Sequence, residues 1–280
     1  MKDKALPSDL SEQVRRALQE DVGTGDLTAA LVPHGAQASA TVTTREDAIL
    51  CGTAWFDEVF RQLKASINIT WLQNDGDAVK AGQVLCKLTG DAAAMLTGER
   101  TALNFLQTLS GTATATRRYA DMTAGTNCRI LDTRKTIPGL RTAQKYAVCC
   151  GGGDNHRLGL FDAVLIKENH IASAGGISAA VKAARRVSQN AEVEVEVENL
   201  AEVKEALAAD ADILLLDNFS LADLAAAVKL NTNKAKLEAS GGIELAELAA
   251  IAKTGVDFIS IGALTKHVQA IDLSMRFEIS

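Results

Sequence analysis

The chain has 280 residues, of which 47% are hydrophobic and 23% are charged, and its formal net charge is -6. That length allows one large α/β domain with a smaller companion, and the hydrophobic content can supply a buried core. The acidic balance and the aromatic content of 4% argue against a nucleic-acid surface, which needs clustered Lys and Arg and stacking platforms. Any anionic ligand must therefore be held by a local basic pocket.

Neither an export signal nor a membrane span is indicated by the sequence. The amino terminus has no apolar run, and no stretch approaches the roughly 18 continuous apolar residues that a span needs. The cysteines are odd in number and show no CxxC spacing: Cys51, Cys86, Cys128, Cys149 and Cys150. This pattern predicts free thiols in a reducing cytoplasm. We expect a soluble cytoplasmic protein with neither nucleic-acid nor membrane partners.

The first third of the chain predicts an α+β segment. An amphipathic helix is expected from about Ser8 to Glu20, with Ser8 or Ser11 as its cap. Short strand-like runs follow between about 37 and 90, namely ASATVTTR, ILCGTAWF, INITWL and GQVLCKLTG. The run from about Glu99 to Ala120 then predicts a long helix, interrupted near Ser110-Gly111, that leads into a second domain.

After this helix, strand-like runs alternate with segments rich in Ala, Leu and Glu. The runs are CRILDT, DAVLIKE, AEVEVEVE, DILLLDN, KLEASGG and DFISIGA. Such alternation predicts right-handed βαβ units and a parallel sheet. Nearly all the runs end in polar or glycine residues, and a β/α barrel builds its site from several strands at one rim. We predict a barrel; the alternative is an open doubly wound sheet, which would use fewer strands.

The run from 191 to 198 alternates Glu with Val, which places four carboxylates on one face of a strand: Glu192, Glu194, Glu196 and Glu198. The simplest interpretation is a solvated edge strand. However, parallel strands are normally covered on both faces, and buried carboxylates need partners because each isolated charge costs several kcal/mol. Cations at neighbouring strand ends favour a self-neutralising interior: Arg134, Lys135 and Lys167.

Basic residues are concentrated within a short span of this acidic chain: Arg134, Lys135, Arg141, His156, Arg157 and Lys167. Arginine forks bind carboxylate or phosphate in bidentate geometry, so the cluster predicts a ligand with several negative charges. Surface charge is the alternative interpretation, and it suits Arg141 best. It suits Lys135 and Lys167 less well, because both end apolar strands.

Glycine turns follow the last two predicted strands, at Gly241-Gly242 and Gly262-Ala263. β/α barrels commonly bind phosphate at this position, on backbone N–H groups and a helix N-terminus. The run CGGGDNHR from 150 to 157 lacks the spacing of known phosphate-binding loops and predicts a flexible loop.

The histidines and carboxylates show no spacing typical of a metal-binding motif. His34 and His267 are predicted to be structural or surface residues. Mg²⁺ that bridges ligand phosphates and carboxylates would need no dedicated motif.

Taken in order, the motifs resemble those of the quinolinate phosphoribosyltransferases, and the match covers nearly the whole chain. DTRKTxPGxR followed by GGGxNHRxGL is highly specific, whereas the amino-terminal GxGDxT only supports it. The matching segments are LQEDVGTGDLT, GERTALNFLQTLSGTAT, DTRKTIPGLR, GGGDNHRLGL, IKENHI, EVEVEN, LLDNF, EASGGI and ISIGALT.

This resemblance implies an open α/β sandwich packed against an incomplete β/α barrel. We therefore expect an amino-terminal α+β sandwich domain at 1–110 and a barrel at 111–267, with about 268–280 returning to the first domain. The resemblance also implies a homodimer in which Arg100 crosses the interface into the neighbouring site; a hexamer is the alternative assembly.

The resemblance assigns roles by motif position. Lys135, Glu196 and Asp217 are the expected catalytic residues, with Glu196 and Asp217 on the ribose hydroxyls and metal. Those expected around quinolinate and the phosphates are Thr133, Arg134, Lys135, His156, Arg157 and Lys167. Those expected at the 5′-phosphate are Ser240, Gly241, Gly242, Ile261, Gly262 and Ala263.

The implied reaction joins quinolinate to phosphoribosyl pyrophosphate and releases CO₂, pyrophosphate and nicotinate mononucleotide, a step of NAD biosynthesis. It implies substrate-bridged Mg²⁺ and no organic cofactor. One alternative is a nicotinate phosphoribosyltransferase or transport-associated paralogue, and another is a phosphate-binding barrel enzyme such as a thiamine-phosphate synthase. A third is a carrier module, because NDGDAVKAGQVL (74–85) resembles the turn of biotinyl and lipoyl domains, although it lacks a modifiable lysine motif.

Overall fold

The computed structural model describes residues 5–63, 66–188 and 191–279. The helices are α1 (Leu10–Val22), α2 (Thr53–Gln62), α3 (Ala92–Met122), α4 (Arg141–Gly151), α5 (Glu168–Ala174), α6 (Ile177–Val187), α7 (Leu200–Ala208), α8 (Leu221–Asn231), α9 (Leu248–Ala252) and α10 (Ala263–Lys266). The strands are β1 (Gln37–Thr44), β2 (Ala48–Ile49), β3 (Ile67–Trp71), β4 (Ala78–Val79), β5 (Val84–Asp91), β6 (Arg129–Leu131), β7 (Val164–Ile166), β8 (Val193–Val197), β9 (Ile213–Asp217), β10 (Lys236–Ser240), β11 (Phe258–Ser260) and β12 (Leu273–Ile279). Short 3₁₀ turns lie at Ala29–Leu31 and Leu245–Glu247.

The chain forms two compact units. The amino-terminal unit comprises Met1–Arg117, Thr136–Gly152 and Ala263–Ser280. The barrel unit comprises Arg118–Lys135 and Gly153–Gly262. The domain limits expected from the sequence remain a prediction.

The amino-terminal unit is built on an antiparallel sheet of order β12-β1-β5-β3. Buried and less buried residues alternate along β1, as expected when one face of a sheet packs on a core. Helices α2 and α3 pack against this core through Trp55, Phe56, Leu106 and Leu109. This is the mixed α/β sandwich expected from the sequence.

The prediction of a strand across ILCGTAWF was wrong. Only Ala48–Ile49 is a strand, and the rest turns at Gly52, which has φ +110°, into α2. The backbone N–H groups of Gly52 and Thr53 donate to Oδ1 of Asp75 at 3.1 Å each. This distant carboxylate satisfies two N–H groups that a helix start leaves without partners, so α2 begins there despite its β-prone sequence.

The predicted interruption of the long helix was also wrong, because α3 is continuous. Gly111 sits within it because the Gln269 carbonyl oxygen approaches so closely that a Cβ would lie 2.1 Å away. The buried hydroxyl of Ser110 accepts from the Cys51 N–H at 2.9 Å. Both residues therefore serve packing against neighbouring segments and do not break the helix.

The first predicted helix is confirmed with its bounds shifted by two residues, but its expected caps are not. Asp9 occupies the N-cap position and makes no side-chain cap hydrogen bond. Ser11 donates its hydroxyl to Oε1 of Glu58 at 2.7 Å and so ties α1 to α2.

The barrel unit contains a six-stranded parallel sheet of order β6-β11-β10-β9-β8-β7. From β7 to β11 each strand pairs with the next one along the chain, without the reversal of order typical of a doubly wound sheet. The two end strands, β6 and β7, do not pair with each other in the described parts of the chain. The predicted incomplete β/α barrel is therefore confirmed.

Strand β8 lies between β7 and β9, so the edge-strand interpretation of the Glu-Val run was wrong. Glu194 is buried and Glu196 is partly buried, whereas Glu192 and Glu198 lie outside the strand ends and are exposed. The charged interior is therefore confirmed for two of the four carboxylates.

Among the described residues, no helix combines the length and the apolar content that a bilayer crossing requires.

Candidate active site

The carboxyl ends of the barrel strands bring most of the predicted site residues to one rim. Parallel strands share the same direction, so residues that end adjacent strands become neighbours in space. In sheet order from β6 to β7, the strand ends carry Lys135, Gly262, Ser240, Asp217, Glu196 and Lys167. Their alternation of charge and glycine turns suits an anionic ligand.

Lys167 and Glu196 form an ion pair between the ends of β7 and β8, with Nζ on Oε2. The Glu196 side chain is 16% exposed and that of Lys167 is 47% exposed. The pair is therefore open to solvent on the lysine side, so a bound anion could share the ammonium group.

Lys135 lies against Gly262 at the junction of β6 and β11. A Cβ on Gly262 would stand 3.0 Å from Cδ and 3.7 Å from Nζ of Lys135. The backbone N–H of Lys135 donates to Oγ1 of Thr133 at 3.1 Å. Thr133 thus orders the turn that carries the lysine, and the missing side chain of Gly262 leaves room for it.

Asp217 is oriented by Asn218, a residue that sequence analysis did not select. Asn218 has φ +55°, a conformation that Asn tolerates better than most residues. Its Nδ2 donates to Oδ2 of Asp217 at 2.7 Å, and its backbone N–H donates to the Ser240 carbonyl at 3.0 Å. Asn218 therefore connects the ends of β9 and β10.

The glycine turn after β10 has two different surroundings. A Cβ on Gly241, where φ is +103°, would lie 2.2 Å from Oδ1 of Asn218. A Cβ on Gly242, where φ is +55°, would meet no protein atom within 4 Å. Gly241 is thus required for packing, whereas Gly242 borders space that a phosphate could occupy.

The segment that carries His156 is anchored to β6, whereas the sequence predicted a flexible loop. Asp154 forms a parallel bridge with Leu131, and its carboxylate pairs with Arg129. The His156 N–H donates to Oδ1 of the fully buried Asp132 at 2.9 Å. Backbone pairing and a buried carboxylate therefore fix the position of this histidine.

His156 points into the barrel interior and contacts two glutamates that sequence analysis did not select as site residues. Its Nε2 lies 2.9 Å from Oε2 of Glu194 and 3.6 Å from Oε2 of Glu238, whose side chains are 3% and 1% exposed. Its Nδ1 accepts the backbone N–H of Arg157 at 2.8 Å. One sequence signal could have identified Glu238, because it is a lone carboxylate between the apolar residues Leu237 and Ala239.

Burial and charge shift the pKa values of two groups near this cluster. Burial, and then the neighbouring charge of Glu194, raise the pKa of Glu238 to about 7, with His156 and Ser260 opposing the rise. Burial, and then the like charge of Arg134, lower the pKa of Arg157. The negative charge of Glu194 counteracts this and favours the charged guanidinium.

The remaining predicted residues lie elsewhere in the described structure. Arg134 is partly buried after β6, and Ile261 is buried after β11, where its N–H donates to the Leu131 carbonyl at 2.9 Å. In the amino-terminal unit, Arg100 is exposed on α3 and Ala263 begins α10.

Arg141 was predicted within the basic cluster, with surface charge as the alternative, and His34 and His267 were predicted to be structural or surface residues. Arg141 is partly buried at the start of α4 in the amino-terminal unit, where its Nε donates to Oγ1 of Thr136 at 3.2 Å. Its role in binding an anion stays a prediction. His34 and His267 are exposed, as predicted. All five cysteines are free thiols, also as predicted.

The sequence that forms this rim of charged strand ends and glycine turns matches one protein family along most of the chain. The description "Quinolinate phosphoribosyl transferase, N-terminal domain" matches residues 26–110, and the corresponding "C-terminal domain" matches residues 112–276. The chain belongs to the quinolinate phosphoribosyltransferase family. Residues 74–85, which suggested a carrier module, lie inside the N-terminal domain of this family.

Relatives named as nicotinate-nucleotide pyrophosphorylases are similar to this chain along most of their length. The chain is 42% identical to the probable nicotinate-nucleotide pyrophosphorylase [carboxylating] of Bacillus subtilis, covering 93% of this chain and 91% of the relative. It is 40% identical to the chloroplastic Arabidopsis thaliana enzyme of that name, with coverage of 96% and 83%. The solved nicotinate-nucleotide pyrophosphorylase of Francisella tularensis is 51% identical, with a TM-score of 0.93 over 98% of both chains.

Proposed function

We propose that this chain is a decarboxylating phosphoribosyltransferase that joins quinolinate to phosphoribosyl pyrophosphate. The observation that carries the proposal is the meeting of Lys135, Lys167, Glu196 and Asp217 with two glycine turns on adjacent strand ends. Its cations suit a ligand with two carboxylates and several phosphate oxygens. The products are nicotinate mononucleotide, CO₂ and pyrophosphate, in NAD biosynthesis.

The two acidic residues of the rim suit the first step of this reaction. Positive charge develops on the ribose as pyrophosphate leaves its C1 atom, and fixed negative charge nearby stabilises that state. Glu196, held by Lys167, and Asp217, held by Asn218, are carboxylates in restrained positions. They act by electrostatics, and no covalent enzyme intermediate is required.

The basic residues suit the departing pyrophosphate and the carboxylates of quinolinate. Lys135, which lies against Gly262, is placed to bind the pyrophosphate oxygens. After glycosylation the pyridine nitrogen is cationic and accepts the electron pair released when the C2 carboxylate leaves as CO₂. Arg134 and Arg157 suit the neighbouring C3 carboxylate, because guanidinium forks hold carboxylates in one orientation. The Thr133 hydroxyl supports these positions by accepting the Lys135 backbone N–H, and Ile261 supports them through its backbone hydrogen bond to Leu131.

A divalent metal suits the same rim. Glu196 and Asp217 end adjacent strands β8 and β9, and carboxylate oxygens are the ligands that Mg²⁺ prefers. Bound between these residues and the substrate, Mg²⁺ would neutralise charge on the phosphates. No organic cofactor is needed for this chemistry.

The proposed assembly is a homodimer in which a second copy supplies Arg100. Support comes from the exposure of Arg100 on α3. Mixing inactive Arg100→Ala chains with inactive Lys135→Ala chains should restore part of the activity through hybrid sites. No recovery in verified mixed dimers would contradict the shared site. A hexamer would show as a larger mass by light scattering.

We also propose a cytoplasmic location, supported by the five free cysteines. Fractionation of the source cells should place the protein with cytoplasmic markers.

The direct test of the activity is an assay with Mg²⁺, phosphoribosyl pyrophosphate and either quinolinate or nicotinate, which follows mononucleotide and CO₂ together. We expect quinolinate to be consumed with one CO₂ per mononucleotide. Lys135→Ala should lose activity, whereas Lys182→Ala, an exposed lysine on α6 of the same unit, should retain it. Turnover of nicotinate alone would overturn the proposal in favour of a paralogous function.

A further inference from the structure

Glu194 and Glu238 form a cluster with His156 beneath the rim, and neither glutamate is used by the proposed chemistry. Glu194 comes from β8 and Glu238 from β10, with β9 between them in the sheet, so the two carboxylates meet across the curved interior. Both side chains are almost completely buried. Two ionised carboxylates in such a place would be costly, so the cluster must hold protons.

The hydrogen bonds around His156 indicate where one proton lies. Because Nδ1 accepts the Arg157 N–H, the ring proton is on Nε2 and faces Oε2 of Glu194. In this arrangement Nε2 of the imidazole is the hydrogen-bond donor and Oε2 of Glu194 is the acceptor. Glu238 is then the second carboxylate, and neither of its oxygens has a hydrogen bond of ordinary geometry.

Glu238 is surrounded from several elements of the barrel unit. The titratable groups that act on it are Asp132 after β6, His156 on the anchored segment and Glu194 on β8, and the hydroxyl of Ser260 on β11 also faces it. Burial and the two carboxylates favour its protonated form, while His156 and Ser260 favour its ionised form. These opposing effects make the group able to gain or lose a proton near neutral pH.

The cluster is connected to the rim through Arg157. The Arg157 backbone is bonded to the His156 ring, and its guanidinium is stabilised by the charge of Glu194 and opposed by that of Arg134. Asp162 also favours its charged form. An anion that binds at this guanidinium brings negative charge towards Glu194 and Glu238, and that repulsion decreases if Glu238 is protonated.

We propose that Glu238 stores a proton, which it takes up from solvent when an anionic pyridine carboxylate binds at Arg157. The only bond formed is the O–H bond of the Glu238 carboxyl group, and buffer supplies the proton. Both glutamates are positioning residues that act through His156 and Arg157. This inference rests on the proposed function, because it takes quinolinate as the anion.

Calorimetry of the full-length protein with quinolinate, in buffers that differ in ionisation enthalpy, measures this uptake. We expect a fractional proton uptake, roughly half a proton near pH 7.5, that approaches zero at pH 5.5, where Glu238 is already protonated. The dissociation constant should be on the order of tenfold weaker at pH 8.5 than at pH 6. In steady-state kinetics, the KM for quinolinate should rise over the same pH range, whereas kcat should change little.

Glu238→Gln keeps the shape of the protonated carboxyl group but cannot titrate. It should bind quinolinate as tightly as the wild-type chain does at pH 6, and equally at every pH between 6 and 8.5, with the proton uptake removed. Glu192→Gln removes an exposed carboxylate beside β8 and should behave as wild type. Equal proton uptake in the wild-type and Glu238→Gln chains would overturn the inference.

Failure of the wild-type chain to bind quinolinate would instead contradict the proposed function. Proton storage by Glu238 is then tested without ligand, by carbon NMR of labelled glutamate side chains. One carboxyl group should titrate near neutral pH and be missing in Glu238→Gln. If every glutamate side chain titrates below pH 5.5 in this measurement, the inference is overturned even when quinolinate does not bind.

Discussion

Asn218 donates a 2.7 Å hydrogen bond from Nδ2 to Oδ2 of Asp217 while its own backbone holds the left-handed conformation. The side-chain amide of Asn218 therefore restrains the carboxylate of Asp217, which is proposed to bind the ribose. The left-handed backbone of Asn218 orients this amide. Residues that orient a ligand-binding group typically change activity by 10- to 100-fold when replaced.

Asn218→Gly should therefore lower kcat/KM by about 10- to 100-fold, with little loss of stability, because glycine adopts the same backbone angles without strain. Asn218→Ala should lose similar activity and also destabilise the fold by roughly 1 kcal/mol. Steady-state kinetics and urea unfolding of both variants separate the two effects. Wild-type activity in Asn218→Gly would show that the hydrogen bond does not orient Asp217 productively.

Gly241→Ala should reduce both stability and activity. The added Cβ would lie 2.2 Å from Oδ1 and 2.8 Å from the backbone nitrogen of Asn218, at a φ of +103°. We expect a loss of about 2–3 kcal/mol in unfolding free energy and a higher KM for phosphoribosyl pyrophosphate. The matched control is Gly125→Ala, with φ +82° and no atom within 4 Å of the new Cβ. Gly125→Ala should lose stability through backbone strain alone and keep the wild-type KM for phosphoribosyl pyrophosphate. Equal losses of stability and equal KM values in the two variants would refute the packing role of Gly241.

The Lys167 and Glu196 pair should be coupled in catalysis. Glu196→Gln should lower kcat by roughly 10²- to 10³-fold, because it removes charge that stabilises the developing cation. Lys167→Met should mainly raise KM for anionic substrates. A double-mutant cycle on kcat/KM should show that the effects are not additive.

A second ion pair in the barrel unit provides the control for this cycle. Lys236 and Asp257 are 2.7 Å apart at the start of β10, at the opposite end of the strand from the rim. Lys236→Met should leave kcat/KM unchanged, because exposed pairs contribute little. Strict additivity of the Lys167 and Glu196 variants would contradict coupling.

Stability should fall as pH rises from about 5 to about 8, and Glu238 should cause part of the fall. Burial raises its pKa from 4.5 to about 7 in the folded state, so the folded chain binds more protons than the unfolded chain between these values. The contribution is complete below about pH 4.5 and is lost by about pH 8. Its size is on the order of 3 kcal/mol.

Urea unfolding at a series of pH values, for wild type and Glu238→Gln, measures this contribution. The difference in unfolding free energy between the two chains should change between about pH 4.5 and about pH 8 and be constant above about pH 8. Parallel pH profiles would mean that Glu238 titrates normally in the folded chain.

The sequence predicted the barrel strands well because most of them are apolar runs bounded by polar or glycine residues, and chain order equals sheet order from β7 to β11. The same regularity identified the rim residues, since strand ends in a barrel converge. Helix α2 was missed because its start depends on Asp75, a capping residue 22 positions beyond Thr53. Local β propensity could not reveal that contact.

The contact between Glu194, His156 and Glu238 was likewise beyond sequence reasoning, since these residues come from two strands that are not neighbours and from an anchored segment. Periodicity showed that Glu194 shares a face with Glu196 but not which cation it meets. The substrate roles assigned by motif position, including those of Arg100, Ser240 and Ala263, remain predictions.

Helix α3 bears on how this chain could be divided. The two family domains meet between residues 110 and 112, inside a helix that runs without a break from Ala92 to Met122. Ser110 and Gly111 are buried there by contacts with Cys51 and Gln269. A split reporter, a domain swap or a recombination event that joined at this family boundary would cut one helix and expose its packed centre. Viable junctions must therefore be sought in loops, and neither family domain is a transferable module.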